Sequence, residues 1–207
     1  MANCCSVSVK IYADKEDLDK VVNEINKAID VKSVDPYAAF LGNLLMAIGY
    51  TKDEVNSRSI ECAGTVCDME RDSEDCFRME LDCKWTPQIE CIHVFLSHYM
   101  PDGGYELIYT AEEPAERIFE STDPDIIGKV NVYSENLDDL VDRYPCLEVL
   151  NNEPIVPMED VVAALNEILG INNGSDYPFE ELARMGTERI ESLGEKVYIT
   201  LNEYCEP

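Results

Sequence analysis

Basic side chains are scarce in this sequence. Lysine and arginine together number 16 against 43 aspartates and glutamates, and the formal net charge is −27. Proteins that hold nucleic acid or anionic membranes present positive surfaces to them, so this charge opposes direct binding to either. It favours a partner of the opposite charge. We therefore expect a basic protein partner, with no direct nucleic-acid contact and no membrane association.

Long apolar runs are also missing. The longest apolar stretch, Tyr37 to Ile48, is too short and too interrupted to span a bilayer. The first residues, MANCCSVSVKIYA, alternate apolar and polar side chains from Ser6 to Tyr12, which predicts a strand and not a signal peptide. We expect a cytoplasmic location. There the nine cysteines would be reduced and mostly buried, not paired in disulfides.

No catalytic motif is present. The two histidines, His93 and His98, lie five residues apart on a predicted helix. Their directions differ by about 140°, so they cannot share one ligand. The sequence has no glycine-rich phosphate loop and no Gly-x-Ser-x-Gly elbow. We therefore predict no catalytic residues and a protein that is not an enzyme.

Cysteine spacing gives little support for a metal. Zinc sites usually contain two tightly spaced pairs of ligands, and no pair in this chain has the two-residue separation. We accordingly expect no metal and no cofactor. One alternative is a zinc-binding module or small enzyme that uses the cysteines between Cys62 and Cys91. A further alternative is a structural or assembly protein of a phage.

Hydrophobic periodicity predicts an α+β fold for the first part of the chain. The predicted order is strand, helix, a further helix, strand, strand, helix, strand. Its strands are 4–12, 59–69, 76–85 and 105–110, and its helices are 14–30, 36–48 and one that starts at 86–87. Without the further helix this order is the βαββαβ pattern of a ferredoxin-like sandwich.

The rest of the chain is predicted as more α/β structure. A pair of edge strands is expected at 117–121 and 129–133, around the loop 122–128. A short helix at 137–143 and an extended run at 146–156 follow. Two longer helices at 158–169 and 179–193 precede a last strand at 196–201. We therefore predict a ferredoxin-like core over 1–135 and a C-terminal α/β extension over 136–207, either a separate lobe or packed on the core.

Three segments resemble a known family: MANCCSVSVKIYADKEDL, MELDCKWTPQIECIHVFLSHYMPDGGYELIYTAEEP and GKVNVYSE. They are similar to a ferredoxin-like family of unknown function, the YubB-like family, which is carried on plasmids and phages. Trp85-Thr86-Pro87-Gln88 and Glu112-Glu113-Pro114-Ala115 lack the second proline and the glycine of the family motifs. The resemblance covers roughly residues 1–135. It implies a fold and a mobile-element setting, and it implies no catalytic residues.

The negative charge is concentrated in one part of the chain. Residues 101–160 contain sixteen acids and three bases, whereas residues 1–60 contain nine acids and seven bases. Such a row of carboxylates can occupy a groove built for nucleic-acid phosphates. This predicts a DNA mimic that inhibits a nucleic-acid-binding nuclease of host defence, an anti-CRISPR or anti-restriction protein. The alternative is a solvated, solubilising surface. The candidate partner-binding acids are Glu106, Glu112, Glu113, Glu116, Glu120, Asp123, Asp125, Glu135, Asp138, Asp139 and Asp142.

Overall fold

The chain folds into two compact units. A computed structural model describes residues 4–57, 60–194 and 196–207, and the units are Met1–Ile118 and Phe119–Pro207. This boundary comes earlier in the chain than the predicted one after residue 135. The strand at Lys129–Glu135 accounts for the difference, because it pairs with two strands that come later in the chain.

Among the described residues, the first unit contains a sheet and four helices. The strands of its sheet are β1 (Cys4–Ala13), β2 (Gly64–Arg71), β3 (Cys76–Lys84), β4 (Tyr105–Glu113) and β5 (Ile118–Ser121), of which β5 begins at the last residue of the unit. The helices are α1 (Lys15–Ala28), α2 (Asn43–Ala47), α3 (Lys52–Asn56) and α4 (Ile89–Tyr99). The sheet order is β2-β3-β1-β4-β5, and β1 is antiparallel to both β3 and β4. The α+β class is thus confirmed.

One face of this sheet forms the first core. Val7, Val9 and Ile11 of β1 are buried, and the residues between them are more exposed, as the alternation predicted. Strand β3 repeats the pattern, with Met79 and Leu81 on the buried face. These side chains pack in one cluster with residues of α1, α2 and α4. The buried side of α4 consists of Ile89, Cys91, Ile92, Phe95 and Leu96.

The predicted helix 36–48 is mostly wrong. Residues just before α2 pair with β2 instead, because the Leu41 amide donates to the Gly64 carbonyl and the Val66 amide donates to the Ala39 carbonyl, both at 2.9 Å. Only Asn43–Ala47 is helical. The sequence reading missed α3, which begins with a capping box between Thr51 and Glu54. The predicted strand 59–69 begins at Gly64, and Ser59 lies outside the described residues.

A three-stranded sheet and helices form the second unit. Its strands are β6 (Lys129–Glu135), β7 (Ile155–Pro157) and β8 (Tyr198–Glu203), in the order β7-β6-β8. Its helices are α5 (Asp138–Val141), α6 (Val149–Asn152), α7 (Met158–Leu169) and α8 (Phe179–Glu191), with 3₁₀ turns at Pro145–Leu147 and Gly174–Asp176. Residues Val130 and Val132 of β6 pack in one buried cluster with α7 and α8. None of the helices in the described ranges has the length and apolarity that crossing a membrane requires.

Two expectations for this unit were wrong. Strand β6 is not an edge strand, because it lies between β7 and β8. The extended run at 146–156 contains a 3₁₀ turn and α6 before β7 begins at Ile155. Leu147 and Leu150 are both buried, and their three-residue spacing places them on one side of a helical path. The helix predicted at 158–169 is confirmed as α7.

Candidate partner-binding surface

The eleven predicted carboxylates divide between the two units. The first unit contains Glu106, Glu112, Glu113 and Glu116. The second contains Glu120, Asp123, Asp125, Glu135, Asp138, Asp139 and Asp142.

One of the four candidate acids in the first unit is buried and cannot contact a partner. Strand β4 continues to Glu113, three residues beyond its predicted end, and strand alternation places Glu113 on the same face as the buried Ala111. Glu113 is only 3% exposed. Its carboxylate is not presented to a partner, and we leave it out of the surface. Glu106 and Glu116 are exposed, and Glu112 is half-buried.

Four acids of the second set form what we call the 135–142 acidic segment: Glu135, Asp138, Asp139 and Asp142. All four are exposed. Leu137 and Leu140 are buried beside them and anchor the short helix α5. Asp138 and Asp142 are four residues apart, so their Cβ atoms lie about 6 Å from each other on one side of the helix.

The carboxylates of this segment make no ion pair with any described residue. Asp138 accepts a hydrogen bond from the Asn151 side chain at 2.5 Å, and Glu135 accepts one from the Tyr133 hydroxyl at 2.5 Å. Both donors are neutral, so neither hydrogen bond places a cation beside the segment. Residues 119–207 contain twenty acids against five bases, which leaves few cations to neutralise it.

Several carboxylates of the first unit, by contrast, face a cation. Lys20 contacts Asp17 at 2.8 Å and Lys15 contacts Glu74 at 2.9 Å. Arg78 lies within 4 Å of three carboxylates, those of Glu70, Asp72 and Glu80. A carboxylate that already faces a cation attracts a basic partner less strongly. The 135–142 acidic segment is therefore the better candidate for a surface that binds through charge.

The remaining predicted acids lie near the start of the second unit. Glu120 and Asp123 are half-buried, and Asp125 is exposed. The Asp123 carboxylate accepts a hydrogen bond from the Asp125 amide at 2.9 Å. Because this carboxylate helps to order its own loop, we assign it a local structural role.

Two exposed tyrosines lie beside the acidic segment, and the sequence reading missed them. Tyr133 of β6 is 51% exposed and Tyr198 of β8 is 48% exposed. Glu135 lies directly opposite Tyr198 in the antiparallel pair, and Tyr133 lies opposite Thr200. All four share the face opposite the buried Val132. The ring centroids of the two tyrosines are 6.1 Å apart, at an interplanar angle of 67°. The sequence could have indicated them, because each is a tyrosine at a strand position whose side chain is expected to face away from the core.

Glu135 raises the pKa of Tyr133. The main cause is the hydrogen bond from the Tyr133 hydroxyl to the carboxylate, and the negative charge of Glu135 adds to it by opposing a phenolate. Replacing Glu135 with glutamine removes this charge. We expect the pKa of Tyr133 to fall toward the ordinary tyrosine value of about 10. An NMR titration of the ring signals measures it, with Glu90→Gln as control. An unchanged Tyr133 pKa would contradict this geometry.

Among the described residues, no group of three or more histidine, cysteine, aspartate or glutamate side chains is arranged to hold a metal ion. Cys62, Cys83 and Cys91 are buried free thiols. His93 lies 3.3 Å from the Tyr105 hydroxyl, and the ring of His98 packs edge-on against Tyr99. The geometry of these side chains indicates packing.

The cysteines should differ strongly in reactivity. Burial raises the pKa of Cys83 to about 11 and also raises the pKa of Cys91. Partial burial and the charge of Glu203 raise the pKa of Cys205 as well, but its side chain and that of Cys4 are exposed to a reagent. Only the thiolate attacks a thiol reagent. We expect Cys4 and Cys205 to be labelled in the native protein at pH 8, and Cys83 and Cys91 only after unfolding. Mass spectrometry of labelled peptides tests this, and native labelling of Cys91 as fast as Cys205 would count against it.

Fold and surface together define a two-unit α+β protein whose second unit presents exposed carboxylates beside an aromatic pair. No family model matches the chain, and a search of the curated proteins gave no match either.

Proposed function

We propose that this chain is an acidic, non-enzymatic binding protein that imitates nucleic acid. Its target would be a basic protein, a nuclease of a host defence system against mobile elements. The protein would then act as an anti-CRISPR or anti-restriction inhibitor. The 135–142 acidic segment would make the central contacts, because its carboxylates are exposed and form no ion pair with the residues that the structure describes.

The main support for this proposal is that four exposed carboxylates have no ion-pair partner among the described residues. They are those of Glu135, Asp138, Asp139 and Asp142. An ordinary solvated surface mixes charges of both signs. Here four carboxylates occur within eight residues, and none forms an ion pair with a described residue. Duplex DNA carries about one negative charge per 1.7 Å of its axis, and proteins that hold it present lysine and arginine. A site of that kind would attract this segment.

Topology supports a ferredoxin-like class for the first unit. The order β2-β3-β1-β4, with α1 and α4 packed in one cluster with the sheet, is compatible with the βαββαβ pattern. We propose that this unit is a ferredoxin-like scaffold and that the chain is related to the YubB-like family. That relationship would place the gene on a plasmid or phage, where inhibitors of restriction and CRISPR nucleases are useful.

An inhibition experiment tests the proposal. The immobilised chain is exposed to a bacterial lysate that contains restriction and CRISPR nucleases, and captured nucleases are assayed for DNA cleavage with and without added chain. We expect cleavage to be inhibited, and to recover as salt rises above an ionic strength of about 0.15 M, because exposed charges are screened. Cleavage that the chain leaves unaffected at low salt, for every nuclease tested, would contradict the proposal.

A further inference from the structure

The outward face of the second sheet has the composition of a binding surface. Large aromatic side chains are usually buried, and Tyr and Trp that remain exposed are enriched where proteins bind one another. Tyr133 and Tyr198 are each about half exposed and contact each other across β6 and β8. The two rings therefore lie side by side on this face.

Glu135 adds a carboxylate at the same place. It lies opposite Tyr198 in the strand pair, and its Oε1 atom accepts a hydrogen bond from the Tyr133 hydroxyl. No described residue donates to its second oxygen. A carboxylate has two acceptor oxygens, so one of them is available to a donor that approaches the rings.

Charge determines what can occupy this face. The unit has twenty acids and five bases, and the acidic segment begins at Glu135. A second copy of the chain would bring the same negative charge against this face, and a nucleic acid would bring its phosphates. Both are opposed by electrostatic repulsion. A cationic segment of another protein is complementary.

We propose that Tyr133, Tyr198 and Glu135 form a site for an arginine side chain of a basic partner. Guanidinium is planar and weakly hydrated, so it stacks on a tyrosine ring while its edge donates to a carboxylate. An ammonium group is a compact, strongly hydrated charge and gains less from the ring. The site therefore selects arginine over lysine. This inference rests on the proposed function only in taking the partner to be a basic protein.

Two peptides of equal charge test the selectivity. The full chain is titrated at about 0.15 M ionic strength with an eight-residue arginine peptide and with its lysine counterpart. We expect the arginine peptide to bind roughly 3- to 30-fold more tightly, as stacking at a partly exposed ring would give. In NMR spectra the ring signals of Tyr133 and Tyr198 should shift with arginine and shift less with lysine. Equal affinities, or unshifted ring signals, would overturn the proposal.

Removing the rings provides the matched comparison. The double variant Tyr133→Leu/Tyr198→Leu should bind both peptides equally, while Tyr37→Leu should keep the preference for arginine. Tyr37 is 76% exposed and belongs to the first unit, so it controls for loss of an exposed tyrosine. A preference for arginine that survives in the double variant would overturn the proposal. If the double variant fails to fold, the wild-type ring signals decide alone.

The two proposals fail in different ways. Nuclease inhibition that persists in the double variant, without any arginine preference in the wild type, refutes the arginine site and leaves the inhibitor intact. An arginine preference in a chain that inhibits no nuclease refutes the inhibitor and leaves the site. Sedimentation of the wild type adds a check, because dimers that the double variant abolishes would assign the face to a second copy.

Discussion

Replacing Leu96 with alanine is expected to lower the free energy of unfolding of the first unit by about 2–5 kcal/mol. Leu96 is 0% exposed and belongs to the buried side of α4, in one cluster with β1 and β3. Truncation removes apolar contacts and leaves a cavity that a close-packed core fills only in part. A loss of this size is a large fraction of the stability of a typical domain.

Urea unfolding followed by circular dichroism measures the effect, with Cys205→Ser as control. The side chain of Cys205 is exposed, so this change should alter stability by less than about 0.5 kcal/mol. The backbone of Cys205 is paired, since its carbonyl accepts a hydrogen bond from the Ser121 amide at 3.0 Å. The serine hydroxyl leaves that pairing in place. Equal midpoints for Leu96→Ala and wild type would show that the α4 face is misassigned.

Reversing the charge of the whole acidic segment is expected to abolish inhibition. The variant replaces Glu135, Asp138, Asp139 and Asp142 with lysine. Each exposed ion pair contributes up to about 1 kcal/mol, so losing four weakens binding by up to about 4 kcal/mol, roughly a thousandfold. New repulsion against a basic partner adds to this loss. Single reversals should change affinity only about fivefold or less.

A matched variant separates position from total charge. Glu16, Asp53, Glu90 and Asp102 are exposed acids of the first unit that form no ion pair with described residues. Their replacement by lysine changes the net charge by the same amount. We expect this variant to keep most of its inhibition. If both fourfold variants lose inhibition equally, the 135–142 acidic segment has no special role and only the overall charge matters.

Amphipathic periodicity was sufficient to predict most of the regular elements. The stripe of α4 and the alternation of β1 and β3 depend on burial against one face, and burial selects residue type directly. The segment 36–48 was wrongly predicted as one continuous helix, because apolar residues such as Ala39 and Leu41 are compatible both with a helix and with an extended segment that pairs with β2. Pairing with a distant strand leaves no periodic signal in the segment itself. The position of β6 in the middle of its sheet was unpredictable for the same reason.

The candidate surface was predictable in composition and not in geometry. Counting charges located an acidic region at 101–160, and its exposed carboxylates at 138, 139 and 142 belong to that region. Glu113 is buried because β4 extends as far as this residue, and the end of a strand cannot be predicted from sequence to within about two or three residues. Tyr133 and Tyr198 are far apart in the sequence and meet only because β6 pairs with β8 in one register. A contact of that kind is fixed by tertiary structure.

The central claim is that the chain occupies a site built for nucleic acid, and competition for that site tests it most directly. A captured nuclease is loaded with labelled duplex DNA, and the chain is added while the label is followed by fluorescence anisotropy. We predict that the chain releases the duplex, with an effective concentration that rises as more duplex is present. A ternary complex, in which the chain is bound and the duplex keeps its affinity, would contradict the account.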